Sequence, residues 1–266
     1  MEPKTIAITR PVGKGSDTAE LVKNLGWIPF IFHTVELKPL DEQNILGQIQ
    51  SSLIQGQPDW IVFMSSTGVK LLFDVLTSHP SVPRFPRETR LLAVGPRTRE
   101  TLLRYGITEA LVPKNYTSAG VGEWFGQLDP KHLRIVLVRS SSADDSLANS
   151  LTAKGAIVRT INIYDSAMPT DLQSVFDFLD GLRLGRFAAV LFTSAISVSN
   201  LFTIAETRFE GTGLIHRLNR ILVGAVGPVT AERLRNRGVE TNVPDEYLIE
   251  KAVAKLISQR IQLQES

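Results

Sequence analysis

The first half of this chain recurs in the second at a fixed distance. Thr5-Ile6-Ala7-Ile8-Thr9-Arg10 is matched 129 residues later by Arg134-Ile135-Val136-Leu137-Val138-Arg139 (10 to 139). At the same offset Gly26 meets Gly155, Val35 meets Tyr164, and Phe73 meets Phe202. Phe63-Met64-Ser65-Ser66-Thr67-Gly68-Val69 meets Phe192-Thr193-Ser194-Ala195-Ile196-Ser197-Val198. A short insertion follows. Gly95-Pro96-Arg97-Thr98 then meets Gly227-Pro228-Val229-Thr230 at an offset of 132 (95 to 227), and Val112-Pro113 meets Val243-Pro244. Landmarks that keep their order over so long a stretch mark two copies of one unit.

Each copy alternates strand-like and helix-like segments. In copy one, strands are expected near 5–9, 27–34, 59–63 and 91–94, with a short fifth strand to Val112. Helices are expected over 16–25 (closed by Gly26), from Asp41 as N-cap, over 67–77, from Pro96 to Gly106, and from Ser118. A loop at 78–90 carries three prolines and is expected to be exposed. Copy two repeats this order from about 133 and ends in a longer helix near 246–262. That helix carries Leu248, Ala252, Val253, Leu256, Ile257 and Ile261 on one stripe, before a polar tail at 262–266 expected to fray. Short apolar runs such as Trp60-Ile61-Val62-Phe63 fit strands buried on both faces, as in a parallel sheet covered by helices. Five strands per copy suit a small doubly wound α/β domain.

Two stretches decide how the copies share their strands. Ile161-Asn162-Ile163-Tyr164-Asp165 runs out to Pro169, and Phe30-Ile31-Phe32-His33-Thr34-Val35 runs out to Pro39. The copies either fold separately, with a boundary near 130, or both stretches cross between domains. In the second arrangement residues from about 40 to 164 form an inserted domain. Strands near 5–9 and 27–34 then share a sheet with strands near 188–192 and 221–225. The matched prolines favour this arrangement.

In doubly wound sheets ligands sit beyond the carboxyl ends of the strands. The strand-to-helix junctions there hold Thr9 and Arg10, Ser65 and Ser66, Gly95-Pro96-Arg97-Thr98, Arg139 and Ser140, Thr193 and Ser194, and Gly227-Pro228-Val229-Thr230. Hydroxyls and first-turn N–H groups in such places bind anions. For any one junction helix capping is a sufficient explanation, and a tyrosine such as Tyr164 is ordinarily a packing residue. A ligand is indicated only where many such polar junctions converge.

Other classes are disfavoured. The 266 residues are 43% apolar and 21% charged, a globular composition. Net charge is only +2, which gives no broad attraction to nucleic acid or membrane. There is no cysteine, and His33, His79, His132 and His216 lack metal-ligand spacing. No dinucleotide fingerprint, P-loop or nucleophile elbow is found. Neither a signal peptide nor a membrane-spanning run stands out, so a cytoplasmic protein is expected.

These residues resemble the uroporphyrinogen-III synthase family over almost the full length. The resemblance is carried by Ile8-Thr9-Arg10-Pro11, Phe192-Thr193-Ser194, Tyr164 ahead of Pro169, Gly227-Pro228-Val229-Thr230-Ala231, and Tyr116-Thr117-Ser118 ahead of a helix. Where the family often has Arg-Gly and a further Arg after Arg139, this chain has Ser140-Ser141-Ser142-Ala143-Asp144. Where the family often has Thr-Ser-x-Asn, it has Met64-Ser65-Ser66-Thr67.

The resemblance implies a HemD-like fold: two doubly wound parallel-sheet domains from an internal duplication, joined by a two-stranded connector with a cleft between them. Residues 1–36 and 168–266 would form a discontinuous domain and 40–163 an inserted one, with connectors at about 35–39 and 164–169. It also implies a hydro-lyase of tetrapyrrole and heme biosynthesis, a cytoplasmic monomer needing no cofactor and no metal. The reaction implied is closure of hydroxymethylbilane, with loss of water and inversion of ring D, to uroporphyrinogen III. Tyr164 resembles the family's candidate acid. Thr9, Arg10, Ser65, Ser66, Thr98, Thr117, Ser118, Arg139, Ser140, Thr193, Ser194, Gly227 and Thr230 are the implied substrate contacts. The alternative is a non-catalytic sensor of the same fold that binds an anion or tetrapyrrole; turnover separates the two.

Overall fold

The structure, a computed structural model, describes residues 4–54, 56–82, 88–208 and 211–265. In chain order its elements begin with β1 (Thr5–Thr9), α1 (Ser16–Asn24), β2 (Ile28–Phe32), β3 (Glu36–Pro39) and α2 (Glu42–Ile54). Next come β4 (Trp60–Phe63), α3 (Ser66–Ser78), β5 (Arg90–Ala93), α4 (Pro96–Arg104) and α5 (Ser118–Gly126). Then follow β6 (Arg134–Ser140), α6 (Ser146–Ala153), β7 (Ile157–Ala167), α7 (Gln173–Arg183) and β8 (Ala189–Phe192). The chain closes with α8 (Ala195–Thr207), α9 (Gly211–Leu218), β9 (Leu222–Ala225), α10 (Pro228–Arg235) and α11 (Ile249–Glu265). It divides into two compact units, Met1–Leu37 with Ala167–Ser266, and Lys38–Ser166.

The first unit is built on a sheet of order β2-β1-β8-β9, all parallel, with Ile6 opposite Ala189 and Ile8 opposite Leu191. Strands from the two ends of the chain thus share one sheet, and copy one does not close on itself. Successive side chains of a strand point to opposite faces. Ala7 accordingly enters a core with Phe178, Phe192 and Leu201, while Ile6 and Ile8 enter a second core with Val22 and Leu256. Phe32 stacks on Phe178, ring centroids 4.1 Å apart. The apolar stripe of α11 is buried at Ala252, Val253, Leu256 and Ile257, and it leaves the core by Ile261.

The second unit has the sheet order β3-β7-β6-β4-β5, in which β7, β6, β4 and β5 run parallel. Ile135 and Leu137 of β6 pack with Trp60, Phe125 and Leu151. Trp60 meets Trp124 and Phe125 edge-on, at 4.9 and 5.7 Å between centroids. The carboxamide of Gln48 on α2 grips the backbone of β7: it accepts from the Asn162 N–H at 2.7 Å and donates to the Asn162 carbonyl at 3.1 Å. Asp41 accepts from the Asn44 N–H at 3.0 Å, the expected start of α2. Gly26 and Gly155 both take positive φ, 78° and 86°, at matched positions after α1 and α6.

Four expectations need correction or restriction. The fifth strand of each copy is only an isolated bridge, Leu92 to Leu111 and Gly224 to Asn242, because Pro113 and Pro244 follow at once and have no N–H for the ladder. The strand expected over 27–34 ends at Phe32 and resumes as β3 at Glu36, whereas its counterpart β7 is continuous to Ala167. The last helix begins at Ile249 and runs through the tail to Glu265, since Gln, Leu and Glu are good helix formers and no Gly or Pro intervenes. The proline loop falls partly outside the described residues, at 83–87.

Candidate functional site

In the first unit the residues singled out from the sequence gather where β1, β8 and β9 end. Thr9 and Thr193 are tied reciprocally: the Thr193 N–H donates to Thr9 Oγ1 at 2.9 Å, and Thr193 Oγ1 donates to the Thr9 carbonyl at 2.7 Å. Thr9 is fully buried, and its hydroxyl also lies 3.3 Å from Ser197 Oγ. The unit itself occupies this hydroxyl. Ser194 caps α8 by accepting from the Ser197 N–H at 3.3 Å. Arg10 faces Asp17 at 3.6 Å, and its carbonyl is 2.9 Å from His33 Nδ1.

In the second unit the set lies at the ends of β7, β6, β4 and β5. Ser65 caps α3, accepting from the Gly68 N–H at 2.9 Å. Its oxygen also accepts from the Tyr164 phenol at 3.0 Å. Burial pushes the Tyr164 phenol above its ordinary range, and the bond to Ser65 offsets only part of that. Ser66 is the first residue of α3 and is half-buried. Thr117 caps α5 by accepting from the Gly120 N–H at 3.0 Å, and the exposed Ser118 begins that helix.

Arg139 is buried, with 7% of its surface exposed, and is engaged locally. It donates to the Asp144 carbonyl at 2.7 Å and is paired with the Asp145 carboxylate, so it ties down the segment that leads into α6. Its Nε meets no partner among the described residues. Ser140 Oγ lies 3.0 Å from Ser142 Oγ and 3.3 Å from Ser166 Oγ.

Sequence reasoning missed the group at the centre of this serine cluster. Asp165 Oδ1 accepts from Ser142 Oγ at 2.6 Å, from Ser141 Oγ at 2.9 Å and from the Ser166 N–H at 2.9 Å. The Ser142 and Ser141 hydroxyls, then that N–H and the charge of Lys38, hold its carboxyl below the usual carboxylate range. The serine run after Arg139 was the signal; its partner, more than twenty residues away on β7, was not readable. Among the described residues no group of three or more His, Asp or Glu is placed to hold a metal.

The two Gly-Pro junctions differ from the capped ones. Gly95 and Gly227 are the N-caps of α4 and α10, with Pro at the next position and no side-chain cap. Thr98 and Thr230 are buried in the first turns of these helices. Each glycine lies under a tyrosine: a Cβ on Gly95 would come to 3.2 Å from Tyr116, and one on Gly227 to 3.9 Å from Tyr247. The first N–H groups of a helix without a side-chain cap can take an anionic group. Capping explains Ser65, Thr117 and Ser194, while at these two junctions Gly as N-cap and Pro in the first turn start the helix without a side-chain oxygen.

The family model described as Uroporphyrinogen-III synthase HemD matches residues 16–254. The chain belongs to the uroporphyrinogen-III synthase family. A relative from Methanothermobacter thermautotrophicus, provisionally named a uroporphyrinogen-III synthase, is 29% identical over 94% of this chain and 96% of its own length. A protein named uroporphyrinogen-III synthase from Chlorobaculum parvum is 22% identical over 97% of this chain and 99% of its own. The fold matches that of a mutant uroporphyrinogen III synthase from Thermus thermophilus, with a TM-score of 0.69 over 97% of this chain and 99% of that one, at 19% identity. Among the described residues no helix is long and apolar enough to cross a membrane.

Proposed function

We propose that this protein is a uroporphyrinogen-III synthase, a hydro-lyase that closes hydroxymethylbilane to uroporphyrinogen III with inversion of ring D. The supporting observation is the family match across 16–254, in a chain that covers nearly all of its named relatives. In this reaction the terminal C–O bond breaks and the hydroxyl leaves as water, having gained a proton. The azafulvenium cation that remains closes through a spiro intermediate, which rearranges and loses a proton to give the product.

The substrate carries eight carboxylates. Gly227 and Thr230 in one unit, and Gly95-Pro96-Arg97-Thr98 with Thr117 and Ser118 in the other, suit such groups: N–H donors at helix starts and hydroxyls hold carboxylates without neutralising them. Thr9 and Thr193, by contrast, tie the ends of β1 and β8 together beside Arg10, and Ser194 caps α8. Holding the linear tetrapyrrole in one folded shape supplies much of the advantage over unassisted closure, which gives isomer I.

Tyr164 is proposed as the hydrogen-bond donor to the departing hydroxyl, its one O–H turning from Ser65 to the bound substrate. A phenol pushed up by burial stays protonated at neutral pH and donates without giving up its proton fully. Ser65 Oγ keeps the Gly68 N–H, and once the phenol has turned to the substrate the Ser65 O–H can donate to the phenol oxygen. The test is to supply hydroxymethylbilane and resolve isomers I and III. Isomer III in excess of the enzyme establishes the activity. Isomer I alone, at the uncatalysed rate, returns the protein to the class of binding proteins.

A further inference from the structure

β7 shifts its register against β6 just where Tyr164 stands. Arg139 is opposite Asn162, but Ser140 is opposite Tyr164, so Ile163 is an extra residue in β7. A one-residue slip turns every side chain beyond it to the other face of a sheet, and bulges of this kind re-aim side chains beside active sites. Without the shift Ser140 would be opposite Ile163, and the Tyr164 ring would turn to the other face, away from Ser65.

Three anchors hold the shifted backbone. The Leu40 N–H donates to the Ile163 carbonyl at 3.1 Å, and the Ser141 N–H donates to the Tyr164 carbonyl at 2.8 Å. The third anchor is the Gln48 carboxamide, which accepts from the Asn162 N–H at 2.7 Å and donates to the Asn162 carbonyl at 3.1 Å. Of these three, Gln48 is the one that acts through a side chain. Its amide nitrogen also donates to Asn44 Oδ1 at 2.8 Å, one turn back on α2, so the head group is held in one orientation.

The ordinary explanation is that a carboxamide satisfies backbone groups at the edge of a strand. The other copy shows a simpler way of meeting that need. His33 matches Asn162 at the offset of 129 (33 to 162), and α7 takes the place of α2. There a hydroxyl, Ser174 Oγ, accepts from the His33 N–H at 3.1 Å. β2 ends at Phe32, and Val35 stands in the place of Tyr164. The two-bond grip thus accompanies the phenol. Where the chain carries tyrosine, the strand is held and runs on through a bulge; where it carries valine, the strand stops.

We infer that Gln48 is a positioning residue for Tyr164, holding β7 in the register that aims the phenol. The inference rests on the proposed role of Tyr164 and adds a residue that acts on it through the backbone. A loosely held phenol meets the departing hydroxyl in only a fraction of bound complexes, so kcat falls while substrate binding is kept.

Kinetics of isomer III formation by the full chain, in wild type, Gln48→Ala, Tyr164→Phe and the double variant, test this. Gln48→Ala should lower kcat about tenfold with KM held within about twofold. The double variant should be no slower than Tyr164→Phe alone, because both losses pass through one phenol. Asp41→Ala, which removes the cap of the same helix, should keep the wild-type kcat despite its lowered stability. Gln48→Glu keeps the size of the side chain and loses the donor, and should show the same fall in kcat should Gln48→Ala fold poorly. Denaturant unfolding of the same four proteins needs no turnover: Gln48→Ala should cost less stability in the Tyr164→Phe background than in wild type. Wild-type kcat in Gln48→Ala, losses that multiply in the double variant, or purely additive stability losses overturn the inference. Wild-type kcat in Tyr164→Phe instead overturns the role of Tyr164 itself, and the inference with it.

Discussion

The phenol of Tyr164 donates to Ser65 Oγ at 3.0 Å, and that oxygen also takes the Gly68 N–H at 2.9 Å. One hydroxyl therefore serves a helix start and a buried phenol at once. In the other copy Val35 replaces Tyr164 and Ser194 caps α8 without a phenol, so the fold does not require the Tyr–Ser pair.

Tyr164→Phe keeps the ring and should cost about 1 kcal/mol, the worth of one hydrogen bond. Ser65→Ala removes the cap and strands the phenol, and should cost about 1–3 kcal/mol. Because the two changes remove the same bond, the double variant should lose less than their sum. Denaturant unfolding of the four proteins measures this. In the proposed reaction Tyr164→Phe should lower isomer III formation by about ten to a few hundredfold, with isomer I appearing instead. Wild-type turnover in Tyr164→Phe would leave the residue with packing alone.

Asp165 gives a pH-dependent prediction. Its carboxyl is held below the ordinary range, chiefly by Ser142 and Ser141. A depressed acid adds stability above its unfolded value, near ~3.9, and loses it as pH falls through the lower folded value. Asp165→Asn should thus be less stable than wild type at pH 7, by about 1 kcal/mol or less since the group is largely solvated. The gap should close as pH falls below about 4. Chemical denaturation at pH 7, 5 and 3 checks it; a gap that stays constant with pH would show that the charge is not what the serines hold.

How much of this was legible follows from where the deciding contacts lie. The repeat carried the strand and helix order because each element's periodicity is local, and the caps Ser65, Thr117 and Ser194 follow from position alone. Partners distant in sequence were not legible. Ser65 lies 99 residues from Tyr164, and Thr9 lies 184 from Thr193. Arg139 looked like a ligand residue because its charge ends a strand, but Asp144 and Asp145, close along the chain, engage it first. The end of β2 at Phe32, short of the expected 34, was not legible, because the His33 N–H there donates to Ser174 Oγ, 141 residues away in sequence.

Two glycines should respond to alanine in opposite ways. A Cβ on Gly120 would fall 2.1 Å from the Asn115 carbonyl oxygen, too close for any side chain, in the first turn of α5. Gly120→Ala should destabilise the protein by several kcal/mol, of order 3 or more, or prevent folding. Gly47 lies within α2, and a Cβ there meets nothing within 4 Å. Gly47→Ala should add about 0.5–1 kcal/mol, because alanine loses less backbone freedom in a helix. Thermal melts of the two variants suffice, and a lowered Tm for Gly47→Ala would contradict the open surface of α2 at that point.

Thr230 tests whether the Gly-Pro junction is a site or a turn. The sequence placed it in the first turn after Gly227-Pro228, where a cap is one possible role. The N-cap is Gly227, α10 has no side-chain cap, and Thr230 is 6% exposed. A lost cap is therefore not what a substitution would report. Thr230→Val keeps nearly the same volume and removes only the hydroxyl, so stability should fall by about 1 kcal/mol or less. In the proposed reaction the hydroxyl holds a substrate carboxylate. Its loss should raise KM for hydroxymethylbilane by about three- to tenfold, the effect of one hydrogen bond to a charged group at a site with other donors. The value of kcat should change little, because the contact is made equally in the bound substrate and in the transition state. An unchanged KM with the small stability loss would make Thr230 a packing residue of α10. A fall in kcat at constant KM would place it against the reacting ring instead.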